Sequence, residues 1–265
     1  MSISAKVQQA ALTLLDQYHH KQNYTLDDRL MPTGLDEAYL IQREFQSHVS
    51  EEQGAIAGYK LAYTTTSLQE SVGVSDPVLG IMLEDNIRHS PSRLKASDFL
   101  QLALECEVGV RLGSDLSPGG APYDRGAVSE AVESLMPAFE VVDIRRTQGV
   151  HPMIGFITGV SANIFNAGVV LGTPVTNWRE LDLAAAYGSM TINEKIVGDG
   201  HGADVMGHPL EPLAWLANKL AEQGFGLSAG MVVITGSIVT PKVVKPGDTA
   251  SISIEGLGSA NLEVV

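Results

Sequence analysis

Leu102-Ala103-Leu104-Glu105-Cys106-Glu107-Val108-Gly109-Val110 sets two carboxylates into a run that is otherwise apolar or small. Continued to Leu112, the run reads as a strand. Alternate residues of a strand share a face, so Glu105 and Glu107 project together while Cys106 points to the opposite side, into a core. Two like charges side by side on an apolar strand repel. They stay ionised only where water reaches them or a cation neutralises them. A second apolar strand, Ala138 to Val142, carries Glu140. Three carboxylates aimed at one place make an oxygen-rich site suited to Mg²⁺ or Mn²⁺. Taken alone, Glu-x-Glu is common on wetted sheet faces; the setting of these glutamates among Val, Leu, Ala and Phe shifts the reading toward a metal.

On the N-terminal side, Val7, Ala10, Ala11, Leu14 and Leu15 predict a helix within residues 2–22. Leu35 to about Glu52 predicts a second, with Tyr39, Leu40, Phe45 and Val49 as core contacts. Ala55 to Tyr63 reads as a strand. On the C-terminal side, Ser114 to Asp124 is a Pro/Gly-rich loop, and Val128 to Leu135 a short helix leading into the Glu140 strand. Ala162 to Leu171 reads as a buried strand of small residues. Leu210 to Gln223 is an amphipathic helix with Gly224 and Gly226 as stops. Met231 to Thr235 and Thr249 to Ile254 read as strands, with the turn Lys245-Pro246-Gly247-Asp248 between them. The expected organisation is a mainly helical segment, residues 1–95, joined to a β-rich catalytic body, residues 96–265. Strands outweigh regular βα alternation, which predicts an α+β fold with a rolled or barrel-like sheet.

Composition narrows the function. With 265 residues, 44% hydrophobic and 18% charged, the chain can bury a core without staples. Cys106 is the only cysteine, so there is no internal disulfide framework, which fits a reducing compartment. Met1 to Lys6 shows no basic run leading into an apolar core, and no stretch approaches the roughly 20 apolar residues of a membrane span. The expected location is cytoplasmic, with no membrane partner. A net charge of -14 repels phosphate backbones and argues against nucleic acid. A small anionic substrate would need local help from a cation or a metal.

Further blocks run in order along nearly the whole chain. They include Asp36-Glu37-Ala38-Tyr39 with Gln42-Arg43-Glu44, then Gly58-Tyr59-Lys60-Leu61, then Pro77 with Gly80. The Glu105/Glu107 strand and Pro137 to Arg145 follow, then Gly207-His208-Pro209, the helix Ala214 to Leu220, and Thr235-Gly236. Pro246-Gly247-Asp248 and Gly256-Leu257-Gly258-Ser259 close the series. Each is weak alone, but their order and spacing resemble the 2-keto-4-pentenoate hydratases and the related 4-oxalocrotonate decarboxylases of the fumarylacetoacetate hydrolase superfamily. The resemblance implies a fumarylacetoacetate-hydrolase-type body, with Mg²⁺ or Mn²⁺ held by Glu105, Glu107 and Glu140. It implies a small 2-oxo or 2-hydroxy acid substrate from aromatic-compound catabolism, chelating the metal through its carboxylate and 2-oxygen. It also implies a homo-oligomer, with room for a complex with another pathway enzyme. A hydratase would convert a 2-hydroxy-2,4-dienoate to a 4-hydroxy-2-oxo acid. The alternatives are decarboxylation of a 2-oxo-enedioate such as 4-oxalocrotonate, hydrolysis of an acylpyruvate, and a non-catalytic partner subunit.

On this resemblance Lys60 is the candidate acid/base, its pKa expected to fall through burial or a nearby metal. Asp85 matches an acidic position of the family and would pair with Lys60; Glu84 is its rival. The backbone N–H near Leu83 would act as an oxyanion donor. Thr235 and Gly236 would line the pocket, the glycine letting backbone approach a ligand. Where the family has an acidic residue followed by asparagine, this chain has Ala162-Asn163, so Ser161 is the candidate for the missing polar group. Arg145 would meet either a substrate carboxylate or Asp143. His208 belongs to the start of the helix near Leu210.

Overall fold

The structure, a computed structural model, describes residues 4–265; Ser2 and Ile3, at the start of the first expected helix, lie outside the described residues. Two helices open the chain, α1 (Ala5–His19) and α2 (Leu35–Gln53). Ser4 caps α1, its hydroxyl accepting from the Val7 N–H at 3.2 Å. The chain continues through β1 (Ile56–Ala62), α3 (Thr66–Val72), β2 (Val78–Leu83), β3 (Ile87–His89), β4 (Ser92–Leu94) and β5 (Leu102–Leu112). Next come α4 (Arg125–Ala131), β6 (Val132–Asp143), α5 (Pro152–Ser161), β7 (Asn166–Leu171), β8 (Tyr187–Ile192) and β9 (Lys195–His201). The last elements are α6 (Glu211–Glu222), β10 (Val232–Val243), β11 (Thr249–Ile254) and β12 (Gly258–Val264).

Seven strands form one sheet in the order β2-β1-β10-β5-β6-β7-β3, and five form another in the order β4-β12-β11-β8-β9. The larger sheet curls until β2 approaches β7, giving the α+β half-barrel that the strand-rich pattern predicts. Strands β1 and β2, from residues before 95, join the same sheet as β5 and β10: Gly58, Tyr59 and Lys60 pair with Val232, Val233 and Ile234.

Alternation along β5 and β6 sorts the two faces of this sheet. Leu104, Cys106, Val108, Phe139 and Val141 point outward into the main core. That core also takes in the apolar sides of α1, α2, α5 and α6. The concave face carries a separate apolar cluster that includes Met82, Met136, Ala138, Val169 and Ile234. The register places Glu105 opposite Glu140, Glu107 opposite Ala138 and Gly109 opposite Met136, so the glutamates share the concave face with that cluster. On the outer side, the buried Gln42 amide on α2 donates to the Leu79 carbonyl at 3.0 Å and the Val160 carbonyl at 2.7 Å, tying β2 to α5.

Three elements differ from the sequence reading. The helix expected to reach Leu135 ends at Ala131, because Ser134 and Leu135 pair with Arg111 and Val110 and extend β6. The strand expected from Ala162 begins only at Asn166. Before it, Asn163, Ile164 and Phe165 form a turn with φ of 60°, 50° and 60°, a left-handed run that costs backbone energy and needs tertiary contacts to hold it. Strand β10 runs on to Val243, passing Thr235 through an irregularity between Ile234 and Ser237.

Gly58 marks the tightest joint of the sheet: a Cβ there would sit 1.8 Å from the Val232 carbonyl oxygen. The Gly58→Ala substitution must push β1 off β10. It is expected to destabilise the protein by about 3 kcal/mol in urea unfolding. Gly119→Ala, with nothing within 4 Å of the added Cβ, is expected to change stability by less than about 0.5 kcal/mol.

Candidate metal centre

Each of Glu105, Glu107 and Glu140 offers a carboxylate oxygen, and these atoms lie within 4.8 Å of one another. Glu107 and Glu140 are fully buried; Glu105 is half-buried. Like charges directly opposite on neighbouring strands destabilise a sheet. Burial adds the cost of lost hydration. The arrangement therefore needs compensating positive charge and hydrogen bonds.

Part of that compensation comes from the chain itself. Lys60, buried on β1, places its Nζ 3.0 Å from Glu140 Oε1. Asn166, the first residue of β7, donates its Nδ2 to the same oxygen at 3.0 Å. The Gly236 N–H donates to Glu107 Oε2 at 2.7 Å. This last contact exists because β10 bulges at Thr235-Gly236, freeing an N–H from the ladder. Gly236 has φ of 121°, and a Cβ on it would lie 2.3 Å from the Thr64 hydroxyl oxygen, so conformation and space both require glycine.

The compensation is incomplete. Glu107 Oε1 and Glu140 Oε2 are buried with no hydrogen-bond partner among the described residues. Buried carboxylate oxygens without partners are costly and rare. Both belong to the same cluster, so one divalent cation bound by the three carboxylates would satisfy them together. All-carboxylate oxygen donors suit Mg²⁺ or Mn²⁺.

The charges titrate accordingly. Burial, and then the Glu140 charge, push Glu105 up to about 7; Lys60 and the hydroxyl of Ser237 oppose the shift. Burial, then Glu140 and Glu105, raise Glu107 well above the usual carboxylate range. For Lys60, burial alone would lower the pKa, but Glu140, Glu105 and Glu107 together hold it above the ordinary lysine value. The fall expected from burial is reversed because the lysine is buried against carboxylates and not in hydrocarbon.

The other expected site residues are spread around this centre. Asp85 lies exposed in the turn Glu84–Asn86, and the partner of Lys60 is Glu140 instead. Glu84 accepts from the Ala55 N–H at 3.0 Å. Leu83 is buried at the end of β2, opposite Ile56. Ser161, at the end of α5, spends its hydroxyl on the Ile157 carbonyl at 3.0 Å. The Thr235 hydroxyl donates to the Val108 carbonyl at 3.2 Å. Arg145 is buried and pairs with Asp143 at 2.6 Å, also donating to the carbonyls of Gln17 and Tyr18, so it anchors α1 to the sheet. His208 accepts from the Leu210 N–H at 3.1 Å, just before α6.

Two asparagines were not singled out by the sequence. Asn166 holds Glu140, as above. Asn163 accepts from the Ile81 N–H at 2.6 Å and donates to the Ile81 carbonyl at 2.9 Å. Its side chain completes the free edge of β2, next to Gly80, whose missing side chain leaves room for the Lys60 stem. Asn163 carried a partial signal, since it fills the second position of the Ala162-Asn163 pair. Nothing in its neighbours marked Asn166.

Comparison with known proteins agrees with the fold. Residues 39–265 match the family described as fumarylacetoacetate (FAA) hydrolase C-terminal. The 2-oxo-hept-4-ene-1,7-dioate hydratase of Escherichia coli is 32% identical over 238 residues, covering 87% of each chain. The 2-keto-4-pentenoate hydratase 1 of Dechloromonas aromatica (strain RCB) is 30% identical, covering 89% of this chain and 88% of that one. Among solved structures, the 4-oxalocrotonate decarboxylase of Pseudomonas putida G7, complexed with magnesium and adipate, superposes with a TM-score of 0.90 at 26% identity. It covers 100% of this chain and 99% of that one.

Metal binding can be checked by titrating Mn²⁺ and reading its paramagnetic resonance. Glu107→Ala is expected to abolish binding, and Asn166→Ala to weaken it about tenfold by loosening Glu140. Affinity should fall as pH drops below about 7, where Glu105 takes up a proton that competes with the ion. Stability of the metal-free protein should move in the opposite direction. Between the ordinary glutamate value of 4.5 and about 7, the folded chain keeps a proton that the unfolded chain releases, so stability declines as pH rises through that window. Melting curves of the metal-free protein at pH 5 and 7 decide this. A melting temperature that rises with pH contradicts it.

Proposed function

We propose, from the fact that the chain belongs to the fumarylacetoacetate (FAA) hydrolase family, that it is a metal-dependent hydro-lyase. It adds water to a 2-hydroxy-2,4-dienoate to give a 4-hydroxy-2-oxo acid, as part of aromatic-compound catabolism. The observation that carries this reading is the set of two orphaned oxygens, on Glu107 and Glu140, beside the ammonium of Lys60. The relatives named hydratase, matched over most of their length, supply the reaction type.

Glu105, Glu107 and Glu140 would hold Mg²⁺ or Mn²⁺, which when bound supplies Lewis-acid stabilisation of charge on the substrate's carboxylate and 2-oxygen. The chain's own groups manage protons and position. In the hydration, the 2-hydroxyl loses its proton while the terminal carbon of the diene gains one. Water oxygen then bonds to C4 as C3 takes a proton. Lys60, kept protonated by the glutamates, is the proton-carrying side chain on the concave face. Gly236 and Asn166 fix the carboxylates of Glu107 and Glu140 through one oxygen each, leaving the other oxygen of each free. The apolar residues around them, Met82, Met136, Val169 and Ile234, keep bulk water from the reacting carbons. Leu83, Ser161 and Thr235 would serve in the frame of the site, the hydroxyls of Ser161 and Thr235 holding backbone carbonyls, and Asp85, exposed in its turn, takes no step. The same reading carries a cytoplasmic homo-oligomer.

A second reading, decarboxylation of a 2-oxo-enedioate, is favoured by the whole-chain likeness to the decarboxylase from Pseudomonas putida G7. It would use the same centre as an electron sink for loss of CO₂. Product analysis separates the two. The purified protein is incubated with Mg²⁺ or Mn²⁺ and freshly generated 2-hydroxypenta-2,4-dienoate or 4-oxalocrotonate. Uptake of labelled water without CO₂ marks the hydratase; CO₂ release marks the decarboxylase. Lys60→Met is expected to lower kcat by about 10²- to 10⁴-fold while Mn²⁺ still binds. Turnover unaffected by this substitution removes Lys60 from the mechanism.

A further inference from the structure

Three threonines are buried among the described residues, and two of them spend their hydroxyls inside the protein. Thr235 donates to the Val108 carbonyl at 3.2 Å, and Thr158 to the Met31 sulfur at 3.7 Å. The third, Thr64, is only 4% exposed, yet its hydroxyl has no hydrogen-bond partner among the described residues. Hydroxyls removed from water in this way are ordinarily paired, so an idle one calls for a reason.

The place of Thr64 supplies it. The chain leaves β1 at Ala62, two residues past Lys60, and β1 runs parallel to β10 with Lys60 beside Ile234. Thr64 therefore comes to lie against the bulge of β10 at Thr235-Gly236. Its hydroxyl oxygen is the atom nearest to where a Gly236 Cβ would stand, at 2.3 Å, with Cγ2 at 2.8 Å and Cβ at 2.9 Å. Gly236 is the residue whose N–H grips Glu107 Oε2, and the other oxygen of Glu107 is one of the two orphans of the metal centre. An idle hydroxyl and an idle carboxylate oxygen thus flank one glycine. The carboxylate can only accept, and a cation answers it; the hydroxyl can donate, and the oxygen of a bound acid answers it.

The backbone is bent to set Thr64 there. Tyr63 has φ of 57°, a left-handed conformation that is costly for a bulky side chain. Its ring packs edge-on against Phe156 of α5 at 4.8 Å. The Thr64 carbonyl accepts from the Met206 N–H at 3.2 Å, and Met206 and Gly207 are themselves left-handed, with φ of 50° and 81°. These contacts fix the main chain of Thr64 and leave its hydroxyl unused. Strain held in place by tertiary contacts beside a site is the pattern of a ligand clamp.

We propose that Thr64 is a substrate-binding residue, its hydroxyl donating a hydrogen bond to an oxygen of the acid held at the metal centre. This rests on the metal-centre reading above. The contact is made to the oxygen-bearing head of the substrate, which hydration and decarboxylation share, so it holds for either reaction.

Calorimetry of the Mn²⁺-loaded full chain with 2-oxobutyrate, a saturated 2-oxo acid with no alkene to hydrate, tests the contact without turnover. Thr64→Val keeps the branched shape against Gly236 and removes the hydroxyl. It is expected to weaken 2-oxobutyrate binding about tenfold, the scale of one charge-assisted hydrogen bond, while Mn²⁺ affinity by paramagnetic resonance and the melting temperature stay unchanged. Thr64→Ser keeps the hydroxyl and is expected to bind 2-oxobutyrate within about threefold of the unsubstituted protein. Undiminished binding by Thr64→Val overturns the contact and leaves the metal-centre reading standing. A loss of Mn²⁺ affinity or of melting temperature in Thr64→Val assigns the residue to packing on Gly236 and overturns it as well. Thr64→Ser as weak as Thr64→Val does the same, since the hydroxyl alone would then not suffice. Failure of 2-oxobutyrate to bind the unsubstituted, metal-loaded protein overturns the metal-centre reading, and the contact with it.

Discussion

Carboxylates crowded on the concave face of one sheet repel one another, and most of the local structure around Glu105, Glu107 and Glu140 answers that repulsion. Glu105 and Glu140 stand directly opposite across the β5–β6 pair, where pairing of like charges works against the sheet. They are tolerated because Lys60 reaches across from β1, two strands beyond β5, and that reach depends on the sheet's curl. The strand order thus has an electrostatic reason: β10, lying between β1 and β5, brings lysine and glutamates onto one concave surface and supplies the Gly236 N–H from its bulge. An open, flat sheet of the same strands would not converge these groups.

The elements whose local chemistry agrees with their tertiary setting were legible in the sequence. Strand β5 has the expected bounds, Leu102–Leu112, because alternation and β propensity coincide there. Helices α2 and α6 were visible through one apolar face each. Helix α5 was not. Its sequence, Pro152 to Ser161, is apolar on several sides and carries Gly155 and Gly159, so it shows neither a polar face nor a strong helix preference. It is helical because it packs on α2 and is held there by Gln42, a contact more than a hundred residues distant in the chain.

The candidate site divides in the same manner. The three glutamates were legible as charges inside apolar strands, whereas Lys60 drew attention only through the family resemblance. The supports of these residues were not legible. Asn166 is an ordinary polar residue at the start of a strand until the sheet places Glu140 beside it. The direction of the Lys60 shift also needed the fold: burial and carboxylate contact act oppositely on an ammonium, and only the distance to Glu140 says which wins. Arg145 shows the converse. Its charge resembled a substrate contact in sequence, yet Asp143 and two backbone carbonyls occupy it.

A centre of this kind can polarise any 2-oxo acid, so it leaves the choice of reaction and substrate open. That choice falls to what meets the rest of the substrate, and here the framework changes character. The metal centre is built on neighbouring strands, each fixed by a ladder. Other segments run between the strands, among them Tyr63 after β1 and the left-handed turn at Asn163–Phe165. Loops tolerate change that a ladder rejects. The residues that give this chain its particular substrate should lie in those segments rather than among the glutamates.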